Sequence, residues 1–399
     1  MNDINTKDFI ARHLNDDVRN LALRDFPPGI DKMFVLNQIQ ARQLLSKKVP
    51  SWASNSELLF PNHLSVEQCS SELTAAFKRN ITRHTALRNP SLFADLTGGL
   101  GIDTSFLSDN FDISCYIERQ PELCRLAENN FHAIGKNINV FNDDAPSFLS
   151  HESRHFDLLF VDPARRDDFN RKMVSFHDCS PDVIKMQELL SHKASFVLIK
   201  TSPMLDVSMI INELNDVRDM YFVAVRNECK ETLVMIENGF SGKIRLHCVN
   251  IVDADQCSVF DFEQDEEQDA VPIFAHSIKK YLYEPNAALM KAGVFKLVSQ
   301  RFAIEKLHAN SHLYTSDTLV PDFPGRVFKV LASMPFNKKT KSEMLKLCDA
   351  ASVAVRNFPL DAVCLRKKLG LKDNNSKFVF GTTVVGDKVT VILCEKVRP

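Results

Sequence analysis

From Met33 to Lys48, the apolar residues Phe34, Leu36, Ile39, Ala41, Leu44 and Leu45 recur near a 3.6 period and predict a helix. Pro50 is expected to stop it. A second helix is expected from Ser65, with Glu67 in its first turn and Leu73, Ala76 and Phe77 as its apolar side. Beyond residue 90, short apolar runs alternate with helical patterns. Leu92 to Leu96, Ile113 to Ile117, Ile138 to Phe141, Asp157 to Val161, Phe196 to Ile199, Tyr221 to Val225 and Leu233 to Ile236 read as strands. Pro121 to Ala133, Pro181 to Leu190 and Leu205 to Leu214 read as helices between them. This alternation predicts a parallel, doubly wound sheet. The last two strands are joined by only about seven residues, Arg226 to Thr232, too few for a parallel crossover, so that pair is expected to be antiparallel.

Lys243 to Phe262 reads as further β structure, and the acidic run Glu263 to Asp269 as a solvated linker. Tyr281 to His308 reads as a helical pair in a small connector. From Val320 onward, strands (Arg326 to Leu331, Lys377 to Thr383, Lys388 to Leu393) mix with helices (Lys341 to Ala350, Leu360 to Leu369). The expected domains are a helical region (1–90), the α/β sheet domain (91–240), a β extension with a small connector (241–319) and a C-terminal module (320–399).

Composition changes this picture in one respect. The chain of 399 residues carries a net charge of only −2, which argues against a polyanionic partner. Yet Val320 to Pro399 holds 15 Lys/Arg and 7 Asp/Glu, a net of +8, while residues 1–319 carry −10. Such asymmetry points to a nucleic-acid-facing module. No apolar run approaches a membrane span, and the polar start Met1 to Asp8 has no signal-peptide character. The 10 cysteines include no CxxC pair, so no structural metal is expected and the thiols read as reduced, in a cytoplasmic protein.

The most specific segment is Asp95-Leu96-Thr97-Gly98-Gly99-Leu100-Gly101-Ile102-Asp103, between a strand and a helix. Glycine there lets the backbone approach a ligand and turn sharply into the helix. Glu118 ends the next strand, 20 positions after Gly98, the spacing at which a carboxylate binds ribose hydroxyls. The third strand ends at Asn142-Asp143-Asp144, where an acid can meet an adenine amine.

These segments, with Val161-Asp162-Pro163-Ala164-Arg165, resemble the motifs of class I S-adenosylmethionine-dependent methyltransferases. The loop and Ile117-Glu118-Arg119-Gln120-Pro121 are similar to those of ribosomal-RNA guanine-N2 methyltransferases. The whole chain resembles a bacterial methyltransferase family with a C-terminal THUMP-like domain. The residues that carry this are Lys48-Val49-Pro50-Ser51-Trp52, Glu67 to Ala75, Asp162 to Arg166, Tyr283-Glu284-Pro285 and Arg366 to Leu371. The resemblance implies a seven-stranded, Rossmann-like α/β methyltransferase sheet. An N-terminal helical region would precede it, and a ferredoxin-like connector and an α+β THUMP-like domain would follow. It implies S-adenosyl-L-methionine as cofactor. Asp95, Gly98, Gly99 and Gly101 would hold its methionine end, Glu118 its ribose and Asp144 its adenine. Thr97 and Asp103 are secondary candidates that read equally well as helix caps.

Transfer from a sulfonium is an in-line displacement that mainly requires positioning. The resemblance places Asp162, Pro163 and Arg165 beside the methyl group and the acceptor. Amino-methyltransferases often carry Asn/Asp-Pro-Pro-aromatic there, and this chain has Ala164 and Arg165 in the last two positions. Arg165 or Arg166 could stack on a base or grip phosphate, or pair with Asp167 and Asp168. No cysteine stands where a covalent mechanism needs one, and Cys179 nearby reads as inert. Trp52 reads as a structural anchor or a stacking platform, and Ser70-Ser71-Glu72 as a helix start or a segment over the cofactor. Lys338, Lys339, Lys341, Arg366, Lys367 and Lys368 are the expected RNA-binding residues. The expected activity is methylation of a base nitrogen in tRNA or rRNA. The alternatives are a methyltransferase acting on a protein or small molecule, and a non-catalytic RNA-binding adaptor.

Overall fold

The computed structural model describes residues 4–61, 63–85, 87, 89–165, 176, 179–374 and 376–397. The chain divides into two compact units, Met1–Met220 with Lys230–Gly242, and Tyr221–Cys229 with Lys243–Pro399.

The first unit opens on helices. Asp31 caps Lys32–Lys48, its side chain accepting from the Phe34 amide at 3.1 Å. Pro50 does more than stop this helix: it sits at the first position of a short one, Pro50–Ala53. The expected second helix is two, His63–Gln68 and Glu72–Ile81. Ser71 makes the break by capping the second, accepting from the Thr74 amide at 3.2 Å. The face that the second helix buries is also not the apolar one expected. It buries Thr74, Ala75 and Lys78, because Lys78 finds ionic partners inside.

The strands are β1 (Leu92–Asp95), β2 (Ile113–Ile117), β3 (Ile138–Phe141), β4 (Phe156–Val161), β5 (Ala194–Thr201), β6 (Val217–Val225) and β7 (Glu228–Glu237). β3-β2-β1-β4-β5 are parallel neighbours, and β7 runs antiparallel to β5 with Phe196 opposite Glu237. β4 is buried throughout, as a central parallel strand covered on both faces must be. The helices Ile102–Leu107, Pro121–Ala133, Ala145–His151, Val183–Lys193 and Val207–Glu213 supply the crossovers. The turn from β6 to β7 is tighter than expected: only Arg226 and Asn227 lie between the strands, both with positive φ (50° and 67°). Residues that twist this way suit a two-residue hairpin.

In the second unit, β8 (Arg245–Ile251) and β9 (Cys257–Glu263) form an antiparallel hairpin. Among β1 to β7 the strand order is β6-β7-β5-β4-β1-β2-β3. The acidic run is no linker. Gln264–Asp269 is a helix with a reciprocal cap between Glu263 and Glu266. Glu267 accepts from the amides of Phe295, Lys296 and Leu297 at 2.8–3.0 Å, satisfying the free donors of the helix Lys296–Phe302. The connector begins on a strand rather than a helix. It comprises β10 (Tyr281–Pro285), helices Ala287–Ala292 and Lys296–Phe302, β11 (Glu305–Lys306) and β12 (Tyr314–Ser316). β13 (Gly325–Pro335), β14 (Ser352–Arg356), β15 (Lys377–Val384) and β16 (Lys388–Lys396) complete a second sheet in the order β11-β12-β10-β13-β16-β15-β14. Helices Thr340–Leu347 and Ala362–Leu369 cover it over a core of Met344, Leu365, Leu369, Val379, Val391 and Leu393. The buried Glu284 carboxylate ties β10 to Arg326 on β13 and Arg356 on β14, at 2.6 and 2.7 Å.

Candidate active site

The carboxyl ends of β1 to β4 open on a cavity of about 650 Å³ within the first unit. Asp95, Thr97, Gly98, Gly99, Gly101, Asp103, Glu118, Asp144 and Asp162, nine of the residues expected to act there, line it. The glycine loop forms one wall. Gly98 donates to the Ile117 carbonyl at 2.9 Å and packs on the ring of buried Tyr116; a Cβ there would lie 2.2 Å from Tyr116 Cε2. Gly101 turns into the next helix at φ +83°, with Phe131 against it. Glycine is required at both positions for backbone approach, and a ligand can lie flat on this wall. Tyr116 fixes it further by donating from its hydroxyl to the Gly99 carbonyl at 2.6 Å.

Asp95 is 1% exposed and holds the loop from below. It accepts from the Thr97 amide at 2.9 Å and from Thr104 Oγ1 at 2.6 Å. Burial pushes its carboxyl up to about 7, against which these hydrogen bonds work. Glu118 accepts from the Gly99 amide at 3.1 Å and the Gln120 amide at 2.9 Å, which aims it along the loop. Asp144 caps Ala145–His151, accepting from the Ser147 amide at 2.9 Å. Thr97 does not cap a helix; its Oγ1 accepts from the Asp162 amide at 2.7 Å.

Asp103, besides lining the cavity, belongs to an ionic cluster. Ser70 Oγ donates to its Oδ2 at 2.6 Å, and Lys78 Nζ stands 3.1 Å from Oδ1. Burial opposes its ionisation, and Lys78 and Lys200 outweigh that to hold it below the usual carboxylate range. Lys78, fully buried, donates to both carboxylate oxygens of Glu231 at 2.7 and 2.9 Å. Lys200 donates to Asp162 Oδ2 at 2.5 Å and to Ser70 Oγ at 3.2 Å. Burial pulls the Lys200 ammonium down, and Asp162, Asp103 and Glu231 together push it above its usual range. The sequence reading missed Lys78, Lys200 and Glu231. Each is one charge in an ordinary run, and only the sheet brings β5, β7 and the first-unit helices to one point. Lys200 in the fifth-strand end Ile199-Lys200-Thr201 was a usable signal: a lysine interrupting a buried strand needs a partner.

Pro163 is half-buried beside Asp162 and does not line the cavity. The backbone of Arg165 pairs with Cys179. Its side chain, and Arg166, Asp167 and Asp168, lie outside the described residues. Cys69 does line the cavity, but burial pushes its thiol up, away from a nucleophilic thiolate. Trp52 is 3% exposed in the core formed by Leu45, Leu58 and Phe60, so it anchors the fold and offers no stacking face. Glu72 accepts from the Ser51 amide at 3.1 Å. No group of metal-ligating side chains occurs among the described residues. No helix among them is long and apolar enough to cross a membrane.

In the second unit, Lys338, Lys339, Lys341, Lys367 and Lys368 are exposed. The fold brings their two runs together. Lys368 Nζ stands 5.1 Å from the centre of the Phe336 ring, and Lys341 Cε would lie 3.0 Å from a Cβ on Gly370. Arg366 is half-buried and pairs with Asp373 at 3.2 Å.

A glycine wall, acids at three successive strand ends and a parallel sheet closed by an antiparallel strand define a class I methyltransferase. Comparison with known proteins agrees. A ferredoxin-like domain family matches residues 281–324, and a THUMP domain-like family matches residues 325–396. A protein from Porphyromonas gingivalis W83, whose crystal structure is described as that of a methyltransferase, is 33% identical; the match covers 99% of this chain and 98% of that one, with a TM-score of 0.88. Uncharacterised S-adenosylmethionine-dependent methyltransferases from two Mycobacterium tuberculosis strains are 21% identical over 324 residues, 80% of this chain and 85% of theirs. The chain belongs to the class I S-adenosylmethionine-dependent methyltransferases that carry a C-terminal THUMP-like domain.

Proposed function

We propose that the protein methylates structured RNA, tRNA or rRNA, which its basic C-terminal domain docks. The observation that carries the transfer site is Asp162: its Oδ2 is held by Lys200, its amide by Thr97, and its Oδ1 has no hydrogen bond among the described residues. A carboxylate fixed at two points in the cavity lining can orient an acceptor. S-adenosyl-L-methionine fits the cavity through its glycine wall and its carboxylates. Asp95 with Gly98, Gly99 and Gly101 would hold the methionine end, Glu118 the ribose and Asp144 the adenine. When bound, it supplies an electrophilic methyl group. Every other contribution is positional: Thr97 and Lys200 set the Asp162 carboxylate, and Pro163 stiffens the backbone after it.

RNA docking rests on the +8 charge of residues 320–399 and on the THUMP-like match, whose exposed lysines suit phosphate contacts. A base-nitrogen acceptor would donate its N–H to Asp162 Oδ1. The ammonium of Lys200 beside that carboxylate favours an oxygen acceptor instead. Mass spectrometry of nucleosides in tRNA and rRNA from cells with and without the gene tests the RNA assignment. A methylated nucleoside absent without the gene supports it; unchanged nucleosides in both pools would favour a protein or small-molecule substrate.

A further inference from the structure

Four charged side chains from four separate elements meet beside the cavity: Lys78 on the helix Glu72–Ile81, Asp162 after β4, Lys200 on β5 and Glu231 on β7. Ser70 and Asp103 join them. Lys78 bonds Glu231 at 2.7 Å and lies 3.2 Å from Ser70 Oγ; Lys200 bonds Asp162 at 2.5 Å and lies 3.8 Å from Asp103 Oδ2. None of Lys78, Lys200 and Glu231 is among the residues that line the cavity. A structural role alone accounts for them poorly, because a buried ion pair is often no more stabilising than apolar residues of equal volume. Of this cluster, Ser70, Asp103 and Asp162 line the cavity, and Lys200 is bonded to Asp162. Lys200 spends N–H bonds on Asp162 and Ser70, and Asp103 at 3.8 Å is beyond hydrogen-bond range. Asp162 Oδ1 is likewise not engaged among the described residues.

This arrangement offers more than a nitrogen acceptor requires. An amino nitrogen needs its N–H accepted and its lone pair aimed. An aliphatic hydroxyl is a weaker nucleophile: its proton must leave as the new bond forms, and negative charge grows on its oxygen. An adjacent ammonium stabilises that charge, and an adjacent carboxylate takes the proton. Lys200 and Asp162 supply both at one point. Alanine and arginine, not proline and an aromatic, follow Pro163, so the segment departs from the Asn/Asp-Pro-Pro-aromatic pattern of amino-methyltransferases. In RNA, the hydroxyl present at every internal nucleotide is the ribose 2′-hydroxyl.

We propose that the acceptor is the ribose 2′-hydroxyl of RNA, with Asp162 and Lys200 as the catalytic residues. This rests on the RNA reading above. The 2′-oxygen forms a bond to the methyl carbon as the carbon–sulfur bond breaks, and the bonding pair stays on sulfur. The hydroxyl proton passes to Asp162 Oδ1 and from there to solvent. The Lys200 ammonium hydrogen-bonds the oxygen as its charge develops. Lys78 and Glu231 are positioning residues: Glu231 holds the Lys78 ammonium, which bonds Ser70 and pairs with Asp103, and Ser70 in turn accepts from Lys200.

The test uses the full-length protein, methyl-tritiated S-adenosylmethionine and total RNA from cells lacking the gene. Alkali cleaves RNA through attack of the 2′-oxygen on the neighbouring phosphate, which a 2′-methyl blocks. Ribose methylation therefore leaves the label in alkali-resistant dinucleotides, the result expected. Label in mononucleotides overturns the proposal while the RNA reading stands; no label in RNA overturns both. Lys200→Met and Asp162→Asn are each expected to lower kcat about 100-fold. KM for RNA and calorimetric affinity for S-adenosylmethionine should not change, and Lys200→Arg should recover part of the loss. Glu231→Gln is expected to lower kcat alone, by about tenfold. If Lys200→Met unfolds, Asp162→Asn, at a half-exposed position, carries the same test. Full turnover in folded Asp162→Asn would sink the assignment.

Discussion

The Asp162 amide donates to Thr97 Oγ1 at 2.7 Å, so the carboxylate at the end of β4 hangs from the same loop whose glycines face the cavity. Removing that hydroxyl separates two parts of the site that the fold otherwise keeps in register. Thr97→Val preserves the side-chain shape and leaves the amide without its acceptor. Stability should fall by about 1–2 kcal/mol, and turnover by about tenfold from misplacement. Thermal melting and steady-state kinetics check this together; unchanged turnover would show that Asp162 does not depend on the loop.

Two adjacent glycines should respond differently to the same added methyl. A Cβ on Gly98 would lie 2.2 Å from the ring of buried Tyr116, which has no room to withdraw. Gly98→Ala is expected to cost about 1–3 kcal/mol through overpacking and to weaken cofactor binding. Gly99 meets nothing closer than 3.7 Å and carries only the strain of φ +54°. Gly99→Ala should cost about 1 kcal/mol. Melting curves and calorimetric affinities of the two variants decide it, and equal losses would be the contrary result.

The raised carboxyl of Asp95 makes stability depend on pH. Its folded value, about 7, exceeds the ordinary 3.8, so between these limits the folded protein binds the extra proton. The contribution is fully present below about pH 4 and is lost as pH climbs through about 7. Asp95→Asn removes this titration, so its melting temperature should fall less steeply than that of the wild type from pH 5 to 7. Parallel curves would assign the slope to other groups.

Lys367→Glu combined with Lys368→Glu reverses two exposed charges next to the Lys338–Lys341 run. RNA affinity should fall, and the dependence of log affinity on log salt should flatten by about one unit per lysine. Calorimetric cofactor affinity should be unaltered. Filter binding at several salt concentrations measures the first effect; an unchanged salt slope would remove these lysines from the RNA surface.

The glycine loop and the acids after β2 and β3 were legible because each is a local device. A strand, a turn and a helix start within nine residues force glycine at Gly98 and Gly101, and the strand-end acids follow at fixed spacing. The acidic run at 263–269 misled for the opposite reason: its charge reads as solvent-facing, yet Glu267 is consumed by the amides of a helix nearly 30 residues away. Lys78 misled in the same way. A lysine on a helix reads as surface, and only its distance of 2.7 Å from Glu231, 153 positions along, explains its burial.

The sequence by itself determined the alternating architecture, the glycine loop and the charge division between the two ends of the chain. These depend on periodicity, spacing and composition, which act over a few turns of chain. Only the tertiary structure decided that Lys78, Lys200 and Glu231 converge with Asp103 and Asp162 in one cluster. Opposite charges taken out of water must find each other, and which of the chain's many charges do so depends on how the sheet orders its strands. That ordering turned an expected nitrogen-acceptor carboxylate into one paired with an ammonium, and so changed the acceptor chemistry proposed for the enzyme.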